Sequence, residues 1–241
     1  MASCSVLTVE AKNSSELKPL ALEKLHEAGS VVLRNVVPEA SIQKARTVLK
    51  PVVDSVVESF GAASDPLAGC LGDELGVVRS PFVGDGKRNV HFDPHESEAH
   101  FGMADLARES MLEDVIRAYA GEECSLSETG FSVTRPGGEG MEWHSDGVEG
   151  EMTILMSLTE ISEEQGCLGV VPCSHKKYCS EKAEGGAEEA QQRVVDEGPR
   201  VWYAYRPGVP MLIDARTLHC ARDNRSDRFR VLLWWIYNSE G

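Results

Sequence analysis

Trp143-His144-Ser145-Asp146-Gly147 sets an imidazole and a carboxylate two residues apart. Along a strand, side chains i and i+2 leave the backbone on the same side, so His144 and Asp146 can converge on one point. Two imidazole nitrogens and one carboxylate oxygen on one face of a metal leave the opposite positions open. That ligand set suits Fe(II), with room for a chelating 2-oxo acid and O2. A lone pair of this spacing arises often by chance, and a surface His and Asp would look the same. Its weight depends on a second histidine from a distant strand. Two lie downstream, His175 and His219. His219 closes Gly208-Val209-Pro210-Met211-Leu212-Ile213-Asp214-Ala215-Arg216-Thr217-Leu218, a turn followed by an apolar strand. His175 sits in Pro172-Cys173-Ser174-His175-Lys176-Lys177, which reads as the mouth of a loop. His219 is therefore the favoured third ligand.

A cation follows. Arg230 lies eleven residues after His219, and Asn224-Arg225-Ser226 between them forms a turn that folds the next strand back. Arg230 interrupts an otherwise apolar strand. A buried guanidinium needs an anionic partner, and its planar fork suits a carboxylate such as the far end of 2-oxoglutarate. Two alternatives stay open: a structural salt bridge, or the same role for Arg228. Upstream, Arg79, Lys87, Arg88 and His91 form a basic island in an acidic chain. With Arg135 they would receive an anionic small molecule, or they are simply a solvated loop. Trp143, Trp234 and Trp235 fit the core better than a substrate platform, with Trp234 kept as a candidate substrate contact.

The elements that must position these residues fall into two blocks. Leu17, Leu20, Leu22 and Leu25 give helical spacing over 15–28, and Gly29 stops that helix. A β-type run, Val31-Val32-Leu33, precedes a second helix from Pro38 to about Phe60. A third helix is predicted over Met103–Tyr119, ending before Gly121. Strands are predicted over 127–135, 152–159, 166–172, 201–205, 209–214 and 229–237, with turn signals between them. In the last strand Val231, Leu233, Trp235 and Tyr237 alternate with Leu232, Trp234 and Ile236, so both faces should be buried. Ser180 to Gln192 reads as a solvated loop or short helix. Short strands of this kind make a sandwich or jelly roll, with the front helices bracing one sheet from outside. The whole chain, 1–241, is expected to be a single domain, helical to about 121 and jelly roll from about 122.

Composition narrows the function classes. The 241 residues include 39 acidic and 24 basic side chains, a net charge of −15 that repels nucleic acid and anionic membranes. The seven cysteines are scattered and form no C-x-x-C pair, against a disulfide framework or zinc ribbon and in favour of a reducing compartment. No run approaches the roughly 18 apolar residues of a membrane span. With no signal peptide in Met1–Lys12 and no lipidation or peroxisomal tail at Asn238–Gly241, the expected location is cytoplasmic.

Taken in order, these segments resemble the phytanoyl-CoA dioxygenase family of Fe(II)/2-oxoglutarate oxygenases. His26-Glu27-Ala28-Gly29-Ser30-Val31-Val32-Leu33-Arg34-Asn35-Val36-Val37 is similar to its opening helix, glycine and strand. The pair His144 and Asp146 comes next. Gln165-Gly166-Cys167-Leu168-Gly169-Val170-Val171-Pro172-Cys173-Ser174-His175 resembles its N-G-x-L-x-x-x-P-G-S-H segment, and His219 to Arg230 its H-x10-R pattern. The resemblance implies a mainly β, cupin-like double-stranded β-helix (jelly roll) with flanking N-terminal helices. It implies Fe(II) on His144, Asp146 and His219, 2-oxoglutarate anchored by Arg230, and O2 as co-substrate, with ascorbate as a reductant in vitro. His175 is then a loop residue, and Thr134 or Arg135 is placed to reach co-substrate or substrate. A carboxylate at 146 implies hydroxylation, desaturation or ring closure of a small molecule, not halogenation. Cys173 stands where the family's turn has glycine, Leu232 argues against the plant-type branch, and Gly147–Glu151 leaves little room for a covering loop. Two other classes stay open, a binding or scaffold jelly roll without turnover and a metal enzyme that does not use 2-oxoglutarate.

Overall fold

The computed structural model describes residues 8–10, 14–60, 77–79, 87–92, 98–108, 111–184 and 186–238. Its elements in chain order are β1 (Thr8–Glu10), α1 (Ser14–Ala28), β2 (Ser30–Arg34), α2 (Glu39–Ser59), β3 (Val77–Arg79), β4 (Lys87–Phe92), α3 (Glu98–Arg108), α4 (Leu112–Ala120), β5 (Ser125–Thr134), β6 (Met141–His144), β7 (Met152–Met156), β8 (Leu168–Val170), α5 (Ser174–Glu184), α6 (Ala187–Glu197), β9 (Val201–Tyr203), β10 (Met211–Asp214), β11 (His219–Ala221) and β12 (Arg230–Asn238). The strands form a large sheet, β1-β2-β10-β7-β12-β5-β4-β3, and a small one, β6-β11-β8-β9. All pairings are antiparallel except β1 on β2. This is the double-stranded β-helix with N-terminal helices that the sequence predicts. No helix among the described residues is long and apolar enough to cross a membrane.

The period-2 pattern of β12 sorts the molecule into an outside and an inside. Leu233, Trp235 and Tyr237 are buried, with Val231 packed beside them, in the main core with Leu17, Leu25, Leu49, Leu106 and Ile116 from α1, α2, α3 and α4. The other face is less closed than predicted. Leu232, Trp234 and Ile236 are only half-buried. Leu232 and Trp234 join a second cluster that bridges the two sheets through Leu155, Met211, Leu168 and Tyr203. The even-numbered residues of β12 therefore line the interior.

Three predictions need correction. The single helix over Met103–Tyr119 is two, because Met111 takes a left-handed conformation (φ 61°) between α3 and α4. No Gly or Pro marks that break, so the apolar periodicity runs through it unbroken. The segment around His175 is the first turn of α5, not a loop mouth. The basic island is carried by β3 and β4, which extend the large sheet by pairing β4 on β5.

Candidate metal centre

His144 ends β6 and His219 begins β11, and the two are direct antiparallel partners. Pairing alone brings the rings together, with centroids 4.3 Å apart. Asp146 follows β6 and is held from below by the loop after β10. The backbone N–H groups of Asp146 and Gly147 both donate to the Ala215 carbonyl, at 2.8 and 3.0 Å. A knot beneath fixes that loop. The Asp214 carboxylate accepts from Arg216 Nε and Nη2 and from the Tyr119 hydroxyl. Among the described residues, His144, Asp146 and His219 are a group whose ligand atoms all lie within 4.8 Å of one another.

The donor chemistry fits a metal. His144 Nδ1 donates to the Glu142 carbonyl at 2.8 Å and His219 Nδ1 to the Thr217 carbonyl at 3.0 Å. Each backbone carbonyl fixes the proton on Nδ1 and leaves an Nε2 lone pair facing inward. Asp146 uses Oδ2 to accept from Thr153 Oγ1 at 2.7 Å, while Oδ1 lies 3.4 Å from His144 Nε2 and 3.5 Å from His219 Nε2. Three lone pairs thus point at one another and need a cation between them. Burial opposes charge on Asp146, yet His219 and His144 hold its carboxyl well below the usual carboxylate range. Burial likewise lowers the His219 pKa, whereas for His144 the Asp146 carboxylate outweighs burial and raises it. Two imidazoles, one carboxylate and preset tautomers match Fe(II).

The opposite end of the interior holds Arg230, 3% exposed. Its Nη1 donates to the carbonyls of Gln165, Gly166 and Arg222, and its Nη2 to Thr134 Oγ1. No carboxylate among the described residues lies within ion-pair distance of it, so it has no structural salt bridge there. Burial pushes its pKa down. Arg228 is exposed and donates to the Gln165 side chain. Asn224, fully buried, ties this turn together by donating to the Thr134, Arg135 and Arg228 carbonyls.

The remaining candidates separate. Thr134 faces the interior beside Arg230, whereas Arg135 is exposed at the turn and is not brought to the cluster. Trp234 packs on Gly130, where a Cβ would sit 2.4 Å from the indole. Trp143 instead meets Trp202 on the far side of the small sheet, with ring centroids 5.8 Å apart. The side chains of Arg79, Arg88 and His91 lie outside the described residues. His175 is 1% exposed, wedged against Gly29 and apart from the trio. Lys87 gains a place that sequence reasoning missed. It pairs with Thr134, which pairs with Arg230, so the three form one inward row. Burial first and the Arg230 charge second bring Lys87 down to about 8. Thr153 was also missed; its only signal is its place one alternation from Leu155.

Residues 25–232 match the family model for phytanoyl-CoA dioxygenase (PhyH). No curated protein sequence matches the chain. Among solved structures, EctD from S. alaskensis with 2-oxoglutarate and 5-hydroxyectoine is 19% identical with a TM-score of 0.68, over 97% of this chain and 80% of that one. The non-heme alpha ketoglutarate dependent carbocyclase SnoK from nogalamycin biosynthesis is 18% identical, TM-score 0.66, over 94% and 84%. AviO1 from Streptomyces viridochromogenes Tue57 is 18% identical, TM-score 0.66, over 93% and 96%. At these identities the structures share the fold.

Proposed function

The chain belongs to the phytanoyl-CoA dioxygenase family, and from that premise we propose that it is an Fe(II)- and 2-oxoglutarate-dependent dioxygenase that hydroxylates an anionic small molecule. The observation that carries this reading is the convergence of His144 Nε2, His219 Nε2 and Asp146 Oδ1, with both Nδ1 protons tied to backbone carbonyls. Iron held there, with 2-oxoglutarate and O2, supplies oxidation of an unactivated C–H bond, coupled to release of succinate and CO2.

The chain's own residues do the rest. Thr153 occupies Asp146 Oδ2 and leaves one oxygen for the metal. Arg230, braced by three carbonyls and Thr134, faces the interior as an uncompensated cation for the distal carboxylate of 2-oxoglutarate. Leu155, Met211, Leu232 and Trp234 form an apolar wall that keeps bulk water away. Lys87, in the inward row with Thr134 and Arg230, favours an anionic substrate. The scattered cysteines, with no C-x-x-C pair, support a reducing, cytoplasmic setting.

The test is succinate release. Protein with Fe(II), ascorbate and 2-oxoglutarate is screened against carboxylates, phosphonates and amino acids. The expected result is succinate formation stimulated by one substrate class and abolished in Asp146→Ala. Failure to form succinate with any of them would sink the reading.

A further inference from the structure

We propose that the Tyr205 hydroxyl is a second hydrogen-bond donor, beside Arg230, to the distal carboxylate of 2-oxoglutarate. The assignment rests on the 2-oxoglutarate reading above and names a residue that no sequence motif marks.

The register places it. On β9, Val201 is opposite Val170 and Tyr203 opposite Leu168. Val201, Tyr203 and Tyr205 alternate as buried residues and belong to the interior cluster between the sheets. Beyond β9, Tyr205 forms an isolated antiparallel bridge with Ile161, at the start of the 161–166 turn whose Gln165 and Gly166 carbonyls accept from Arg230. Gly166 is the backbone on which Arg230 lies: its carbonyl accepts from Nη1 at 2.9 Å, and a Cβ there would fall 2.1 Å from that nitrogen. The Tyr205 carbonyl is fixed by the Ile161 N–H at 3.0 Å, which anchors the residue beyond the end of β9. The phenol and the guanidinium thus share one end of the interior.

Both groups lack what burial demands. Tyr205 is 5% exposed, and its hydroxyl has no hydrogen-bond partner among the described residues. A buried, unpaired hydroxyl is costly, and phenylalanine would fill the same space without that cost. Arg230 has no carboxylate partner among the described residues. A buried cation with no counter-anion among the described residues and a neighbouring O–H donor with no acceptor describe a carboxylate site. Burial also pushes the Tyr205 phenol pKa far up, only partly offset by Arg230, so the group stays protonated and donates.

Tyr205→Phe tests this in the Fe(II)-loaded protein under nitrogen. Calorimetry reads the binding of 2-oxoglutarate and of pyruvate, which lacks the distal carboxylate. Loss of a hydrogen bond to a charged group should weaken 2-oxoglutarate by about ten- to a hundredfold. Pyruvate and Fe(II) should bind as to the wild type, and the ligand-free Tm should hold or rise. Unchanged 2-oxoglutarate affinity, or equal weakening of both acids, would overturn the assignment. So would a fall in ligand-free Tm, because the hydroxyl would then have an internal partner. A wild type that binds the two acids alike, or neither, shows that the 2-oxoglutarate reading itself has failed; that failure is visible without the variant.

Discussion

The two ends of the interior handle buried polarity in opposite ways. At the metal end the side chains of His144 and Asp146 are 32% and 24% exposed, so the site is partly open. Yet each group there is braced: both Nδ1 atoms by carbonyls, Asp146 Oδ2 by Thr153. Only the three convergent lone pairs are left unsatisfied. At the other end Arg230 is sealed from solvent, and no described carboxylate balances it. One end is electron-rich and lacks a cation; the other is cationic and lacks an anion. A fold selected for stability alone would neutralise the two against each other, because breaking or omitting one partner of a buried charge pair is strongly destabilising. Their separation along one interior is what a metal and a chelating dianion would together satisfy.

The sharpest way to break this contrast is to remove a ligand. His219→Ala and Asp146→Ala should each lower Fe(II) affinity by more than about a hundredfold, since loss of an orienting partner alone costs 10–100-fold. Thr153→Val, which removes only such a partner, should cost about tenfold on the same scale. Anaerobic Fe(II) titration measures all three. If Thr153→Val matches Asp146→Ala, the hydroxyl is doing more than orienting the carboxylate.

Next in size is the anchor end. Arg230→Met should weaken 2-oxoglutarate by at least about thirtyfold, the lower bound for truncating a buried charge partner. Fe(II) affinity should not move. Ligand-free stability should hold or rise, because the guanidinium is desolvated with no carboxylate partner. A large loss of ligand-free stability would show that the Gln165, Gly166 and Arg222 carbonyls fully satisfy Arg230, and the contrast between the ends would disappear.

How much of this was legible beforehand depended on distance along the chain. His144 and Asp146 are local, and i, i+2 alternation suffices to pair them. His219 and Arg230 are tied to each other by the Asn224 turn, so their spacing carries the geometry. Lys87 is different. It joins the row only because β4 pairs with β5, Lys87 with Thr134 at 134 − 87 = 47 residues, and nothing in the basic island signals that register. Tyr205 was visible as part of a strand, but with Trp202, Tyr203 and Tyr205 all aromatic the sequence cannot say which face turns inward. The break at Met111 was invisible for the opposite reason, because it costs backbone strain and leaves the apolar pattern intact.

Lys87 also yields a smaller, pH-resolved test. Its pKa of about 8 in the free protein is set by burial and by the Arg230 charge. A bound dianion would raise it, since opposite charge favours the ammonium. The pKa is then higher bound than free. The contribution of Lys87 to binding is full below pH 8 and is lost as pH rises through the bound-state value. The 2-oxoglutarate affinity should fall above pH 8 by at most about tenfold per unit, and Lys87→Met should flatten the profile. A profile that stays steep in Lys87→Met would place the titrating group elsewhere.

The smallest effect separates strain from function. Cys173 adopts φ 69°, a left-handed conformation that costs a Cβ-bearing residue about 1–2 kcal/mol. Its turn matters because the next residue, Ser174, accepts the Leu218 N–H at 2.7 Å, one residue before His219. The Cys173 thiol offsets part of the strain by donating to the Glu27 carbonyl at 3.1 Å. Cys173→Gly removes both the strain and that contact, and adds backbone freedom to the unfolded chain. The net gain should be about 0.5–1 kcal/mol, read as a rise in Tm. Neither Fe(II) nor 2-oxoglutarate affinity should change, because the Ser174 bond and the His219 register survive. If metal affinity shifts with this substitution, the turn is part of the metal end, and the brace beneath His219 extends to the start of α5.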